Sequence, residues 1–131
     1  MNIALAAHDS KKTLMENLCI AYRHILYKHN LYGTGTTARI IEDNTGLSVD
    51  KYIDGRLGGE QQMAIQISHN DIDLVIYLCD PQHPEGGEPG VSGILRLCDE
   101  HNIPFASNLA TAEILLLALD RGDLSWREML K

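Results

Sequence analysis

Several apolar runs in this sequence end in side chains able to hold an anion or move a proton. Ile3-Ala4-Leu5-Ala6-Ala7 is followed by His8-Asp9, with Lys12 one helical turn further on. Leu31-Tyr32-Gly33 is followed by Thr34-Gly35-Thr36-Thr37. Small residues there let the backbone approach a ligand. A helix starting at that point aims its N–H groups and the positive end of its dipole at an anion. Three threonine hydroxyls add donors, and Lys12 can neutralise charge. The chemistry that suits these residues is retention of an anionic group, a phosphate above all. Threonines ahead of a helix also serve as ordinary N-caps, and the residues alone leave that reading open.

Two further runs end in a similar way. Ser48 to Ile53 leads into Asp54-Gly55-Arg56-Leu57-Gly58-Gly59-Glu60-Gln61-Gln62, where the double glycine reads equally as a tight turn and Glu60 as a first-turn acid favoured by the dipole. Ile72 to Leu78 leads into Asp80-Pro81, which fits an Asx turn or a cap. Asn108 follows the last apolar run, and Thr111 is placed to cap the helix after it. Each feature has a structural reading; converging on one edge of a sheet, together they define a candidate site. His24, His29, His69 and His101 show no ligand-like spacing and read as solvated or helix-end residues, and Ile114 to Leu117 reads as core.

The elements that must position these groups alternate along the whole chain. Strands are expected at Ile3–Ala7, Leu31–Gly33, Ser48–Ile53, Ile72–Leu78 and Pro104–Ser107. Helices are expected from Leu14 to Leu26, Thr37 to Asn44 with Gly46 closing it, Glu60 to about Ser68, about Val91 to His101, and Ala110 to Leu119, with a last short helix in Leu124–Leu130. The stretch from Asp80 to Pro89 holds three prolines and two glycines in a row and reads as a loop. This alternation implies an α/β fold, a doubly wound three-layer sandwich with a mostly parallel five-stranded sheet, formed by residues 1–131 as one domain. In such sheets ligands sit outside the carboxyl ends of the strands, at the point where strand order reverses.

Composition narrows the partners. The 131 residues carry a net charge of −7, which argues against a general nucleic-acid or anionic-membrane surface. A phosphorylated ligand must therefore be held by local donors. Cys19, Cys79 and Cys98 have no metal-site spacing and read as small buried hydrophobes in a reducing compartment. No basic, apolar leader precedes the first strand, and no apolar run reaches the roughly 18 residues of a membrane span, so a cytoplasmic protein is expected.

At these residues the sequence resembles the methylglyoxal synthases. The resemblance rests on Ile3 to Asp9, Leu31 to Thr37, Leu57-Gly58-Gly59-Glu60-Gln61-Gln62, Asp80-Pro81, and Ile103-Pro104 through Thr111-Ala112, and it covers essentially the whole chain. It implies a doubly wound parallel sheet, a homohexamer and no metal or organic cofactor. The implied activity removes a proton from dihydroxyacetone phosphate, forms an enediolate and eliminates inorganic phosphate to leave methylglyoxal. The resemblance also implies a phosphate site at Lys12, Thr34, Gly35, Thr36, Thr37 and Gly55, with His8 and Asp9 beside it and Asp80 opposite.

Elsewhere the chain departs from that pattern. The family's catalytic aspartate is Glu60 here, a serine before Gly55 is Asp54, and a proline after it is Arg56. A histidine and an aspartate of the following loop are Gly87 and Gly90, with His83 four residues before Gly87. Glu60 is still a carboxylate able to act as base, displaced by roughly 1 Å, an error that can cost on the order of 10²-fold in rate. An ionised Asp54 about 4 Å from a phosphate charge repels it by roughly 4 kcal/mol at a dielectric of 20, which Arg56 is suited to offset. Three functions fit these residues: a synthase with Glu60 as base and His83 or His8 in proton transfer; a regulatory paralogue that binds a phosphorylated metabolite without turnover; and a lyase for a different phosphorylated substrate.

Overall fold

The computed structural model describes residues 1–53, 58–82 and 90–130. Five strands, β1 (Asn2–Ala7), β2 (Asn30–Thr34), β3 (Val49–Tyr52), β4 (Leu74–Leu78) and β5 (Phe105–Ala106), form one sheet in the order β3-β2-β1-β4-β5. Every pairing is parallel, so the expected mostly parallel sheet is parallel throughout the described residues. The helices are α1 (Lys12–Ala21), α2 (Arg23–Leu26), α3 (Gly35–Thr45), α4 (Gly59–Ser68), α5 (Gly90–His101) and α6 (Leu109–Asp120). Among the described residues, 3-10 segments lie at Asp9–Lys11 and Ser125–Leu130.

Residue alternation along β4 explains why both faces are covered. Leu74, Ile76 and Leu78 enter a core built with Met15 and Leu18 of α1, Ile41 of α3 and Leu116 of α6. Val75 and Tyr77 enter a second core, with Met63 and Ile67 of α4 and Ile94 and Cys98 of α5. A strand buried on both faces has to read as a continuous apolar run, and this one does.

The expected helix from Leu14 to Leu26 is two helices, because Tyr22 takes φ −109° and ψ 21° between them. The three-to-four apolar spacing continues across the break because hydrogen bonds do too: Tyr22 N–H reaches Leu18 O at 2.9 Å and Leu26 N–H reaches Tyr22 O at 3.0 Å. The helix expected from Thr37 starts two residues earlier, at Gly35, and its end is closed by Gly46 at φ 72°, a left-handed conformation that suits glycine. The strand expected from Ile72 starts at Leu74, since Asp73 is engaged elsewhere.

Asp73 and Arg127 are both fully buried and form an ion pair at 3.2 Å. The guanidinium also donates to the carbonyls of Asn102 (3.0 Å) and Ile72 (3.2 Å) and to the Asn70 side chain (2.7 Å), while Asp73 accepts the Asn2 N–H at 2.8 Å. Asp73→Asn leaves a buried guanidinium without its charge partner and is expected to lower stability by about 3–5 kcal/mol in urea unfolding. His29, half-buried, accepts a hydrogen bond at Nδ1 from the Met1 ammonium at 3.1 Å. Burial first, then the positive charges of Met1 and Lys28, hold its pKa below the ordinary 6.5. The unfolded chain therefore takes up this proton before the folded one does. Its contribution to stability is intact above pH 6.5 and is lost as pH falls toward the folded value. Melting temperature is expected to fall as pH drops below 6.5, and to fall less in His29→Gln.

Candidate active site

Strand order reverses between β1 and β4: β2 and β3 lie on one side of β1, β4 and β5 on the other. At that seam His8 N–H donates to Leu78 O at 3.0 Å and His8 Nδ1 accepts the Asp80 N–H at 2.8 Å. The acceptor role of Nδ1 puts the proton of the neutral ring on Nε2. Asp80 in turn accepts the Gln82 N–H at 2.9 Å, the expected Asx turn, and the Ser10 hydroxyl at 2.6 Å. His8 is buried, with its ring edge-on to Tyr77 at 5.5 Å between centroids.

Lys12 is held close to the same edge. Its ammonium donates to Asp9 at 2.6 Å and to Ala7 O at 3.3 Å. Asp9 is largely exposed, so this pair adds little stability and serves mainly to place the ammonium.

The threonine turn leaves β2, the neighbour of β1, at the carboxyl edge of the sheet. Thr34 is the N-cap of α3 by position, but its side chain makes no capping hydrogen bond. Gly35 is buried, Thr36 half-buried, and Thr37 is 2% exposed. Among the described residues, Thr37 Oγ1 is the buried side-chain oxygen left without a hydrogen-bond partner. The Thr37 hydroxyl is thus buried at the start of α3 and unspent, and such an orphan hydroxyl costs about 1–3 kcal/mol in the free protein.

Glu60 lies in the first turn of α4, on the opposite face of the sheet from α3. Its Oε1 accepts the Tyr77 hydroxyl and its Oε2 accepts the Gly90 N–H at 3.1 Å. Burial and then the negative charge of Glu60 push the Cys79 thiol above its ordinary pKa. Cys19 and Cys98 are fully buried and raised to about 12, first by burial.

His8 is thus brought together with Asp80, and with Glu60 through Tyr77; Lys12 joins Asp9; the threonine turn follows the same edge. Asp54, Gly55, Arg56, His83 and Gly87 lie outside the described residues. Two contributors were not singled out from sequence. Tyr77 sits in an apolar strand where only its position near the carboxyl end signals a polar tip at the site. Ser10 carried no signal beyond following Asp9. Asn108 rather than Thr111 caps α6, accepting the Thr111 N–H at 3.0 Å. Among the described residues, no group of three His, Cys, Asp or Glu could hold a metal ion, and no helix is long and apolar enough to cross a membrane.

An open, doubly wound α/β sheet with polar groups gathered at its switch point defines a ligand-binding α/β protein. The family model for the MGS-like domain matches residues 15–107. The methylglyoxal synthase of Caldicellulosiruptor saccharolyticus is 59% identical over 129 residues, covering 98% of this chain and 92% of that protein. That of Thermoanaerobacter sp. is 51% identical over 129 residues, covering 98% of each. The crystal structure of methylglyoxal synthase from Elizabethkingia anophelis superposes with a TM-score of 0.83 at 39% identity, covering 88% of this chain and 76% of that one. This chain belongs to the methylglyoxal synthase family.

Thr37→Val keeps the shape of the side chain and removes the orphan oxygen. It is expected to raise stability of the ligand-free protein by about 1 kcal/mol, read as a higher urea midpoint.

Proposed function

We propose that this protein is a methylglyoxal synthase, a lyase that converts dihydroxyacetone phosphate to methylglyoxal and inorganic phosphate with Glu60 as its base. The observation that carries this reading is the pairing of a carboxylate fixed at the sheet's carboxyl edge with an unpartnered buried hydroxyl in the threonine turn. Relatives bearing that name over 98–100% of the chain support it.

Glu60 takes a proton from the hydroxymethyl carbon of the substrate, and the electron pair left behind moves onto the carbonyl oxygen as an enediolate. The hydroxymethyl oxygen then gives up its proton and forms a carbonyl. The double bond shifts by one position, and the carbon–oxygen bond to phosphate breaks with its electron pair leaving on phosphate. The remaining enolate takes a proton at carbon to become methylglyoxal. Lys12, Thr34, Gly35, Thr36, Thr37 and Gly55 hold the phosphate, with Arg56 offsetting Asp54. His8, whose Nδ1 is occupied by Asp80, offers Nε2–H to the developing oxyanion, a donor of a kind worth on the order of 10²–10³ in rate. Asp9 and Asp80 hold Lys12 and His8 in place, and His83 joins the proton transfers. No cofactor enters these steps, and the same reading includes a cytoplasmic homohexamer.

A binding function without turnover is favoured by one feature, the engagement of both Glu60 oxygens by protein donors. Incubation of pure protein with dihydroxyacetone phosphate separates the two. The synthase releases methylglyoxal and phosphate in equal amounts, and Glu60→Ala lowers the rate by about 10²–10⁴. No product above that variant, with inorganic phosphate still raising the melting temperature, would leave binding alone. Thr37→Val should weaken inorganic phosphate about tenfold or more, the loss of one hydrogen bond to a charged group.

A further inference from the structure

We propose that Tyr77 is a positioning residue for Glu60, fixing its carboxylate in a single orientation against the start of α5. This rests on Glu60 being the base proposed above.

Tyr77 is 3% exposed and its ring belongs to the core between the sheet and the helices α4 and α5. A phenol buried to that degree keeps a partner for its hydroxyl, and here the partner is Glu60 Oε1. The second oxygen accepts the Gly90 N–H. One donor on one oxygen leaves the terminal torsion of a glutamate free to turn. Two donors, one from β4 and one from α5, set both the position and the plane of the carboxylate. Gly90 takes φ +68°, where side chains are strained, although a Cβ there would meet nothing within 4 Å. Glycine is therefore suited to this point by conformation rather than by space, and that conformation belongs to the residue whose N–H meets Glu60. The positive end of the twelve-residue helix α5 also complements the carboxylate's charge.

The arrangement is compatible with a base. Each carboxylate oxygen has two lone-pair directions, so one donor on each leaves one direction on each for a proton. Glutamate has one more torsion to fix than aspartate, and the Tyr77 hydroxyl supplies the extra restraint. The ring of Tyr77 also lies edge-on to His8, so a single side chain spaces the base from the imidazole across the β1–β4 seam.

The test uses the intact protein with Tyr77→Phe, Glu60→Gln and the double variant, measuring steady-state turnover of dihydroxyacetone phosphate, inorganic phosphate affinity and melting temperature. Tyr77→Phe is expected to lower kcat about 10- to 100-fold, with KM and phosphate affinity changed less than about twofold. In the Glu60→Gln background the same change should alter residual turnover less than about twofold, since the residue it acts through is gone. Glu60→Asp provides a second approach: with the carboxylate drawn back, Tyr77→Phe should again add less than about twofold. An equal loss of kcat with and without the Glu60 carboxylate overturns the proposal, as does a rise in KM with kcat unchanged. A wild-type protein no faster than Glu60→Gln overturns the assignment of Glu60 as base and this role with it. Normal wild-type turnover with an unaffected Tyr77→Phe overturns this role alone.

Discussion

Two of the helices that begin at the site, α4 and α5, end on one buried arginine. Arg127 reaches from the last 3-10 segment to the loop after α4, through Asn70 and Ile72, and to the loop after α5, through His101 and Asn102. Both loops turn in the same way. Asn70 and Asn102 each take φ 57°, and the next residue's N–H closes back five residues, Asp71 to Gln66 O and Ile103 to Cys98 O. Asp73 neutralises the guanidinium and accepts the backbone N–H of Asn2, which starts β1. A charge this deeply buried is stable only with its partners in place, so the cluster tolerates one arrangement of these segments and few others. An α-helix rises about 1.5 Å per residue, so α4 and α5 act as rods of roughly 15–18 Å whose far ends carry Glu60 and Gly90. Fixing the near ends constrains where the far ends meet.

The order of elements was legible in the sequence because this fold buries strands on both faces and helices on one. Ile72 to Leu78 reads as a strand for that reason, but the strand starts two residues later, because apolar Ile72 extends the pattern while the backbone of Ile72 and Asp73 serves Arg127 and Asn2. The break at Tyr22 was invisible because periodicity reports which face is apolar, and that face does not change across the bend. Arg127 gave no signal at all. Its environment comes from segments 25 to 57 residues away in sequence, and an arginine in a short amphipathic tail reads as solvated.

The site was legible to a different extent. Residues that follow strands were found from topology alone, since a parallel sheet gathers them at one edge, and His8, Asp80, Lys12 and the threonine turn are there. What topology did not show was pairing. Glu60 and Tyr77 are seventeen residues apart, one in a first turn and one inside a strand, and their contact depends on how α4 packs over β4.

Those contacts place the two parts of the site in opposite energetic states. Thr37 has a hydroxyl with no partner, so an arriving anion gains a donor already stripped of water. Glu60 is satisfied at both oxygens, so it has no reason to swing toward the donors of the cradle or toward Lys12. The separation matters to the proposed reaction because its base and its substrate's phosphate are both anionic. At a dielectric of 20, a carboxylate about 4 Å from a phosphate charge is repelled by about 4 kcal/mol, and at about 8 Å by about 2 kcal/mol. On the function proposed above, a cradle reaching in from the face of α3 and a base from the face of α4 would let the substrate carbon, rather than its phosphate, lie nearest the carboxylate. Tyr77 and Gly90 keep that difference from collapsing while the site waits for its ligand.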